Sequence, residues 1–343
     1  MGRDPMVGRL HAGGAVALAL AMGWAGGAGA QQRGWTVEVE SVLLQALGNE
    51  PHVLTRGDAT GAPPSAREEA VTLDADEALG YRAVILYDRG ALGYGLDFLI
   101  YRTDQRIDPR VAAGGGGVES SFEVAGRRFV SNDPGEPLYF QALEDTTIEL
   151  WVLDLYLRRA LAESAGGTLD VVLGLRNADF DNDVRAVAGS DPAGGVRIDA
   201  SSNYGRMLGP LVGLAARLDR GRHTLRGDLR QSAVLGEVEL TRTLRDFTGP
   251  PGPFAGPPEE VPAGIAQERL TTTRDIAVPM TDVRLAWSVR LTRRLSLGAS
   301  LGATAWWDLA VPPGVEPGPG GEDRLRETTL VTYGLGASLG WAF

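Results

Sequence analysis

The sequence predicts an all-β protein, an antiparallel barrel that crosses a membrane with its strands, and three observations carry that expectation. The first is the last stretch, Thr329 to Phe343. Here Phe343, Trp341, Leu339, Ala337, Leu335, Tyr333 and Val331 form one apolar row, and Ala342, Gly340, Ser338, Gly336, Gly334 and Thr332 form a row of small or weakly polar residues. Successive side chains of a strand point to opposite faces, so one face is greasy and the other thin. A soluble sandwich strand has the same period, but it seldom ends a chain on aromatic rings. Tyr333 at one end of the apolar row and Trp341 and Phe343 at the other match the girdles at the two lipid–water boundaries of a membrane barrel. The second observation is that connections alternate long and short along the chain. The third is a targeting segment at the N-terminus.

Composition bounds the classes. The chain has 343 residues, 43% of them apolar, with a net charge of −11. No stretch beyond residue 30 offers the roughly 18 consecutive apolar residues of a spanning helix; in a barrel only every second strand residue meets lipid. There is no Cys, which excludes disulfides, thiol catalysis and Cys-ligated metals. The basic residues are all Arg. The acidic balance argues against nucleic acid as a partner, which needs a basic patch. Arg3 and Arg9 precede the apolar run Ala15 to Met22, and Ala28-Gly29-Ala30 supplies the small residues of a cleavage site. The expected organisation is a signal peptide over 1–30, cleaved after Ala30, and a barrel over 31–343.

Taken in order, Trp35, Val37, Val39 and Leu43 face one way on a first strand and Thr36, Glu38 and Glu40 the other. Residues 49–78 are rich in Pro, Gly and acid, hence a loop. Tyr81, Ala83, Ile85 and Tyr87, a turn at Asp88-Arg89-Gly90, then Leu92, Tyr94, Leu96, Phe98 and Ile100 form a hairpin, with Gly93, Gly95 and Asp97 on the opposite face. A polar insert over 104–145 contains a possible small hairpin at Phe122 to Val130. The second hairpin sets Trp151, Leu153, Leu155 and Leu157 outward, turns near Gly166-Gly167, and returns with Leu169, Val171, Leu173 and Leu175 outward. Asp181 to Asn203 reads as another loop.

The third hairpin, Tyr204 to Asp219 and Arg222 to about Leu240, turns at Arg220-Gly221, with Leu208, Val212, Leu214 and Leu218 matched by Leu225, Leu229 and Leu235. Phe247 to Arg269 is Pro/Gly-rich and cannot be strand in its middle. The fourth hairpin sets Val283, Leu285, Trp287, Val289 and Leu291 outward, turns at Thr292-Arg293-Arg294, and returns with Leu295, Leu297, Ala299, Leu301 and Ala303. A last loop spans Val311 to Asp323. The count is about ten strands, or twelve if the insert adds a hairpin. With both ends of the mature chain in the periplasm the number must be even, and each tight turn then falls on the periplasmic side. A soluble sandwich has no reason to sort its loops in this way.

The segments TIELWVLDLYLRRALAESAGGTLDVVLGLRNADF (147–180), YGRMLGPLVGLAARLDRGRHTLRGDLRQSAVLGEVE (204–239) and VRLAWSVRLTRRLSLGASLGATAWWDL (283–309) resemble the Legionella-type pore-forming major outer-membrane protein family. The resemblance covers residues 79 to 343 and rests on strand texture and a few Gly, Arg and Trp positions. It implies an outer-membrane barrel with pore activity and brings no catalytic or ligand residues with it.

The inward faces carry the candidate functional residues. Acidic ones are Glu38, Glu40, Asp97, Asp154, Asp170, Asp219, Asp228 and Asp282; basic ones are Arg82, Arg158, Arg176, Arg217, Arg226, Arg230, Arg284 and Arg290. Charged rings in a lumen set ion selectivity, and near-balance of sign predicts weak selectivity. The competing reading is that these charges pair across strands and fill a narrow barrel, since about eight strands are already filled by side chains. The expected function is a pore for passive passage of ions or small polar solutes, the alternative a plugged structural or adhesive barrel. A rim enzyme needs an acid/base group on the outer edge. Only His52 and His223 survive signal removal, His223 beside a periplasmic turn and His52 without a nucleophile at recognisable spacing. Asp181, Asp183 and Asp191 lack the spacing of a calcium loop. No cofactor or metal is expected. The expected partners are outer-membrane lipid and the barrel-assembly machinery, engaged through the C-terminal strand.

Overall fold

The structure, a computed structural model, describes residues 33–47, 54–57, 69–71, 77–89, 92–107, 117–124, 127–129, 141–164, 166–190, 194–247, 265–310 and 327–343. The expected signal segment, its cleavage point, His52 and the loop expected over Val311 to Asp323 lie outside the described residues.

The chain enters as β1 (Arg33–Leu47), makes the short β2 (Leu54–Gly57) and β3 (Glu69–Val71), and continues through β4 (Ala78–Arg89) and β5 (Leu92–Ile107). The insert holds β6 (Gly117–Val124) and β7 (Arg127–Phe129). Then follow β8 (Gln141–Ser164), β9 (Gly167–Ser190), β10 (Gly194–Arg220), β11 (His223–Phe247), β12 (Ile265–Arg290), β13 (Leu295–Ala310) and β14 (Glu327–Ala342). Ten strands close into a barrel in the order β1-β14-β13-β12-β11-β10-β9-β8-β5-β4, and β4 pairs back onto β1. Every neighbouring pair is antiparallel, including the closing seam of β1 with β14, where Val37 faces Trp341 and Leu43 faces Leu335. The small hairpin expected in the insert exists as β6–β7. It belongs to a separate four-stranded sheet in the order β3-β2-β6-β7, so it adds nothing to the barrel. Ten is therefore the strand count, and twelve is excluded.

Side chains distribute inside out. Leu335 is 64% exposed and Leu301 53%, whereas Glu40 is 1% and Arg176 2% exposed. Burying charge and exposing leucine is stable only where the exterior solvent is hydrocarbon, because ionised groups cost several kcal/mol in lipid and exposed apolar rows cost free energy in water. Aromatic rings sit near both edges of the apolar band. Trp35 lies 4.8 Å from Tyr87 by ring centroids, and Trp341 lies 6.3 Å from Phe343, at the end with the tight turns. Phe98 and Trp151 lie toward the other end, 6.5 Å apart, as does half-buried Tyr333, whose hydroxyl donates to Gln45 on β1 at 2.5 Å. Closure removes every edge at membrane depth. The chain is a membrane-spanning β-barrel.

The strands are not equally long. β8 to β12 run 24 to 27 residues, while β1, β4, β5, β13 and β14 run 12 to 16. At about 3.3 Å per residue and a tilt near 40°, the longer set rises roughly 20–25 Å further. On β12 the extra length lies at the outer end, since it pairs with β13 only from Met280 onward while, among the described residues, 265–279 pair with β11 alone. β8 runs past β5 mostly at the other end, over Ala160 to Ser164. The loop expected over Asp181 to Asn203 is therefore corrected: β9 runs to Ser190, β10 starts at Gly194, and only residues 191–193 separate them. Above the lipid the outward row meets water and turns polar (Asp179, Asp181, Asp183), which erases the alternation by which a membrane strand is read. Likewise β12 starts at Ile265, inside the stretch expected to be loop, and carries Pro279 just above the last residue paired with β13, where a proline is tolerated.

Candidate functional site: the barrel interior

The interior divides along the barrel axis. On β1 the inward residues run Glu38, Glu40, then Val42, Leu44 and Ala46 going outward. The same change occurs after Asp97 on β5 (Tyr101), after Arg176 on β9 (Ala178, Phe180) and after Ser232 on β11 (Val234, Val238, Leu240). On the descending strands it is read in reverse. Ile148, Leu150 and Val152 precede Asp154 on β8, and Val278 and Met280 precede Asp282 on β12. The charges thus gather in the periplasmic half, beside a smaller apolar cluster of Val84, Leu86, Tyr156, Val172, Leu211 and Ala215. An apolar layer lies above them, with Thr103, Thr146, Asn182, Ser202 and Arg242 buried further out.

In the charged half, arginines reach across the lumen. Arg284 on β12 donates to Glu38 at 3.0 Å and to Glu40 at 2.7 Å, both on β1. Arg226 on β11 reaches Glu38 at 3.2 Å. Arg230, also on β11, donates to Asp97 of β5 at 2.8 Å and Asp154 of β8 at 3.1 Å, with its guanidinium 4.7 Å from the Tyr156 ring centre. Arg176 on β9 holds Asp154 through two parallel bonds of 2.7 and 2.8 Å and also donates to Asp282 on β12. Arg82 grips Asp97 in the same two-pronged way, at 2.7 and 2.5 Å. Such paired bonds between guanidinium and carboxylate are the strongest and most direction-dependent of ion pairs. Nearer the periplasm, Arg158 bonds Asp88 and lies 3.8 Å from Asp170.

Glycine makes room for this network. A β-carbon at position 95 would collide with the Tyr156 ring, and one at position 336 would meet the carboxylate of Glu40, which also accepts a bond from Ser300. Between these groups lies a cavity of about 60 Å³, lined by Glu40, Arg82, Asp97, Arg230, Asp282 and Arg284 and, toward the apolar layer, by Val42, Leu44 and Val152. That is room for a few water molecules.

Above lies a continuous apolar layer. Leu44, Tyr101, Leu150, Phe180, Tyr204, Met207, Val234, Met280, Trp306 and Leu330, among others, form one buried cluster to which nine barrel strands contribute, and Ala78 of β4 packs against it. Phe180 touches the Tyr204 ring edge-on, with centroids 5.4 Å apart, and lies 5.9 Å from Trp306. Tyr204 donates its hydroxyl to the Ala310 carbonyl at 2.7 Å.

No family model matches this chain, and no curated protein matches it. Among solved structures it is similar to the outer membrane protease OmpT of Escherichia coli. The identity is 11%, the TM-score 0.48, and the match covers 92% of this chain and 99% of that one. It is similar to a major outer membrane protein from Thermus thermophilus at 10% identity and TM-score 0.35, over 90% of this chain and 99% of that one. A Pseudomonas aeruginosa FadL homologue matches at 10% identity and TM-score 0.27, over 91% and 90%. At such identities no residue's role passes across.

The residues expected to line the lumen fall into groups. Glu38, Glu40, Arg82, Asp97, Asp154, Arg176, Asp228, Arg230, Asp282 and Arg284 meet in or beside the central network. Arg158, Asp170, Arg217 and Arg226 stand nearer the periplasmic mouth. Arg290 is exposed at the rim and lines nothing. The apolar layer was not foreseen. Its signal in the sequence is a run such as Ile148-Glu149-Leu150-Trp151-Val152-Leu153, where both faces of one strand are apolar. Of the three histidines only His223 lies among the described residues, stacked on Trp287 at 5.7 Å beside a periplasmic turn. Among the described residues no group of His, Cys, Asp and Glu could hold a metal ion.

Proposed function

We propose that this protein is a plugged outer-membrane barrel, exported by its N-terminal segment, that serves as a structural and surface-presenting element. The observation that carries this reading is the apolar layer to which nine strands contribute, stacked on the cross-lumen ion pairs. A solute would have to pass both, and a dry constriction of this kind stops ions by excluding water. The wall of β8 to β12 gives the barrel a rigid β-surface well above the outer leaflet, suited to contact with molecules outside the cell.

Passive passage of ions or small polar solutes is the second reading. It is favoured by the cavity of about 60 Å³, which charged and apolar side chains line together, and by the pore activity that the family resemblance implies. It requires the apolar layer to part. Planar-bilayer recording of refolded protein separates the two: the plugged reading expects a silent membrane from protein that still shows heat-modifiable migration on gels. Discrete current steps would overturn it. Catalysis is not part of either reading; His223 sits at the periplasmic end, away from the face on which a surface hydrolase would work.

A further inference from the structure

The periplasmic rim is basic although the chain as a whole carries −11, and the charge gathers at one corner. Arg220 and Arg222 belong to the β10–β11 turn, and Arg290, Arg293 and Arg294 to the β12–β13 turn; all five are exposed. Backbone bonds fix the turns beside one another and beside the end of the chain. The Arg290 N–H donates to the Arg222 carbonyl at 2.8 Å, and the Ala342 N–H donates to the Arg294 carbonyl at 2.8 Å. None of the five makes an ion pair among the described residues. Of the acidic side chains at this end, Asp219 accepts from Thr224 at 2.6 Å and pairs with Arg217 at 2.9 Å, Asp88 bonds Arg158, Asp170 lies 3.8 Å from Arg158, and Glu163 is exposed on the β8–β9 hairpin. The carboxylate of Phe343, next to Ala342, is a single negative charge beside five arginines. Like charges crowded together repel unless an anion lies among them.

The corner lies directly below lipid-facing surface. Trp287, stacked on His223, and the outward leucines 225, 285 and 297 rise from it into the apolar band. An occupant must therefore join a negative headgroup to acyl chains that lie along that band. We propose that this corner binds an anionic phospholipid of the periplasmic leaflet, its phosphate held by the arginines of the two turns and its chains lying against Leu285, Trp287 and Leu297. Guanidinium groups match phosphate oxygens through paired N–H donors, and basic groups beside a bilayer favour anionic lipid. The inference is independent of whether the lumen conducts.

The test is native mass spectrometry of the folded, full-length barrel released from micelles doped with equal phosphatidylglycerol and phosphatidylethanolamine. The expected result is roughly tenfold enrichment of phosphatidylglycerol adducts, lost in Arg222→Gln/Arg293→Gln/Arg294→Gln and kept in Arg206→Gln/Arg269→Gln/Arg274→Gln, an equal charge change at the outer end. Equal retention of both lipids overturns the proposal, as does equal loss in the two variants. Binding to peptidoglycan sacculi through the rim arginines, without any lipid preference, overturns it in favour of a periplasmic polymer. Should the rim variant lose its heat-modifiable migration, the wild-type barrel decides. Its preference must weaken as salt rises through the range that screens exposed charge, and a preference indifferent to salt overturns the proposal.

Discussion

The periplasmic half of the barrel interior holds arginines that reach carboxylates on neighbouring and distant strands, beside a small apolar cluster, whereas above it rings and aliphatic chains pack as in a soluble core. Both halves fill the same narrow cylinder, yet they tolerate damage differently. A cross-lumen ion pair is specified by its partner: remove one member and a charge is left buried, which costs more than the pair contributed. An apolar layer loses in proportion to the volume removed. The comparison teaches how the strands' own side chains can occupy the interior of a ten-strand barrel in two chemically different ways. The ion pairs fix which strands stand opposite which, and the apolar layer packs without that dependence on a partner.

The largest effect expected is therefore on the charged side. Arg284→Met strands Glu40, which is 1% exposed and keeps only Ser300 as a hydrogen-bond partner. Urea titration of the barrel in micelles should show a loss of about 3–5 kcal/mol. Adding Glu40→Gln should restore a large part of it, because the stranded charge is gone. If the double variant is no better than the single, the pairing account of this half fails. Next comes the apolar side, where Leu150→Ala should cost about 2–5 kcal/mol while leaving a bilayer silent, since the ion pairs below remain. A leak from this variant alone would show that the charged half does not seal. The smallest effect is expected outside both. Arg102→Ala removes the exposed pairs with Asp104 and Glu149 on the outer wall and should change stability by only about 0–1 kcal/mol. A larger loss would mean that the wall is held by charge in the way the interior is.

How much of this could be read from the sequence follows from which solvent each residue meets. Rows such as Val283, Leu285, Trp287 and Leu295, Leu297, Ala299 were legible because lipid on one side forces a strict period of two. The outer extensions of β9, β10 and β12 were not, because with water outside and apolar side chains within, Asp181, Asp183 and their neighbours look like turn formers. The inward charges could be counted from the same alternation, but not paired. Arg284 and Glu38 are 246 positions apart and Arg226 and Glu38 are 188 apart, and only barrel closure brings them together. The apolar layer escaped because Leu44, Leu150 and Phe180 break the rule that a membrane barrel is polar within, and a leucine beside other leucines is read as facing lipid.

The unequal heights of the two walls leave a free margin. Over residues 265–279 the only strand paired with β12 among the described residues is β11, so among those residues a row of peptide N–H and C=O groups on its other side has no strand beside it. Such a margin invites a stranger's extended backbone to zip alongside. Exposed Arg269 and Arg274, with Pro279 at the base, are the deterrents most often placed there, and replacing the two arginines with threonine and valine would make the barrel stick to its own kind.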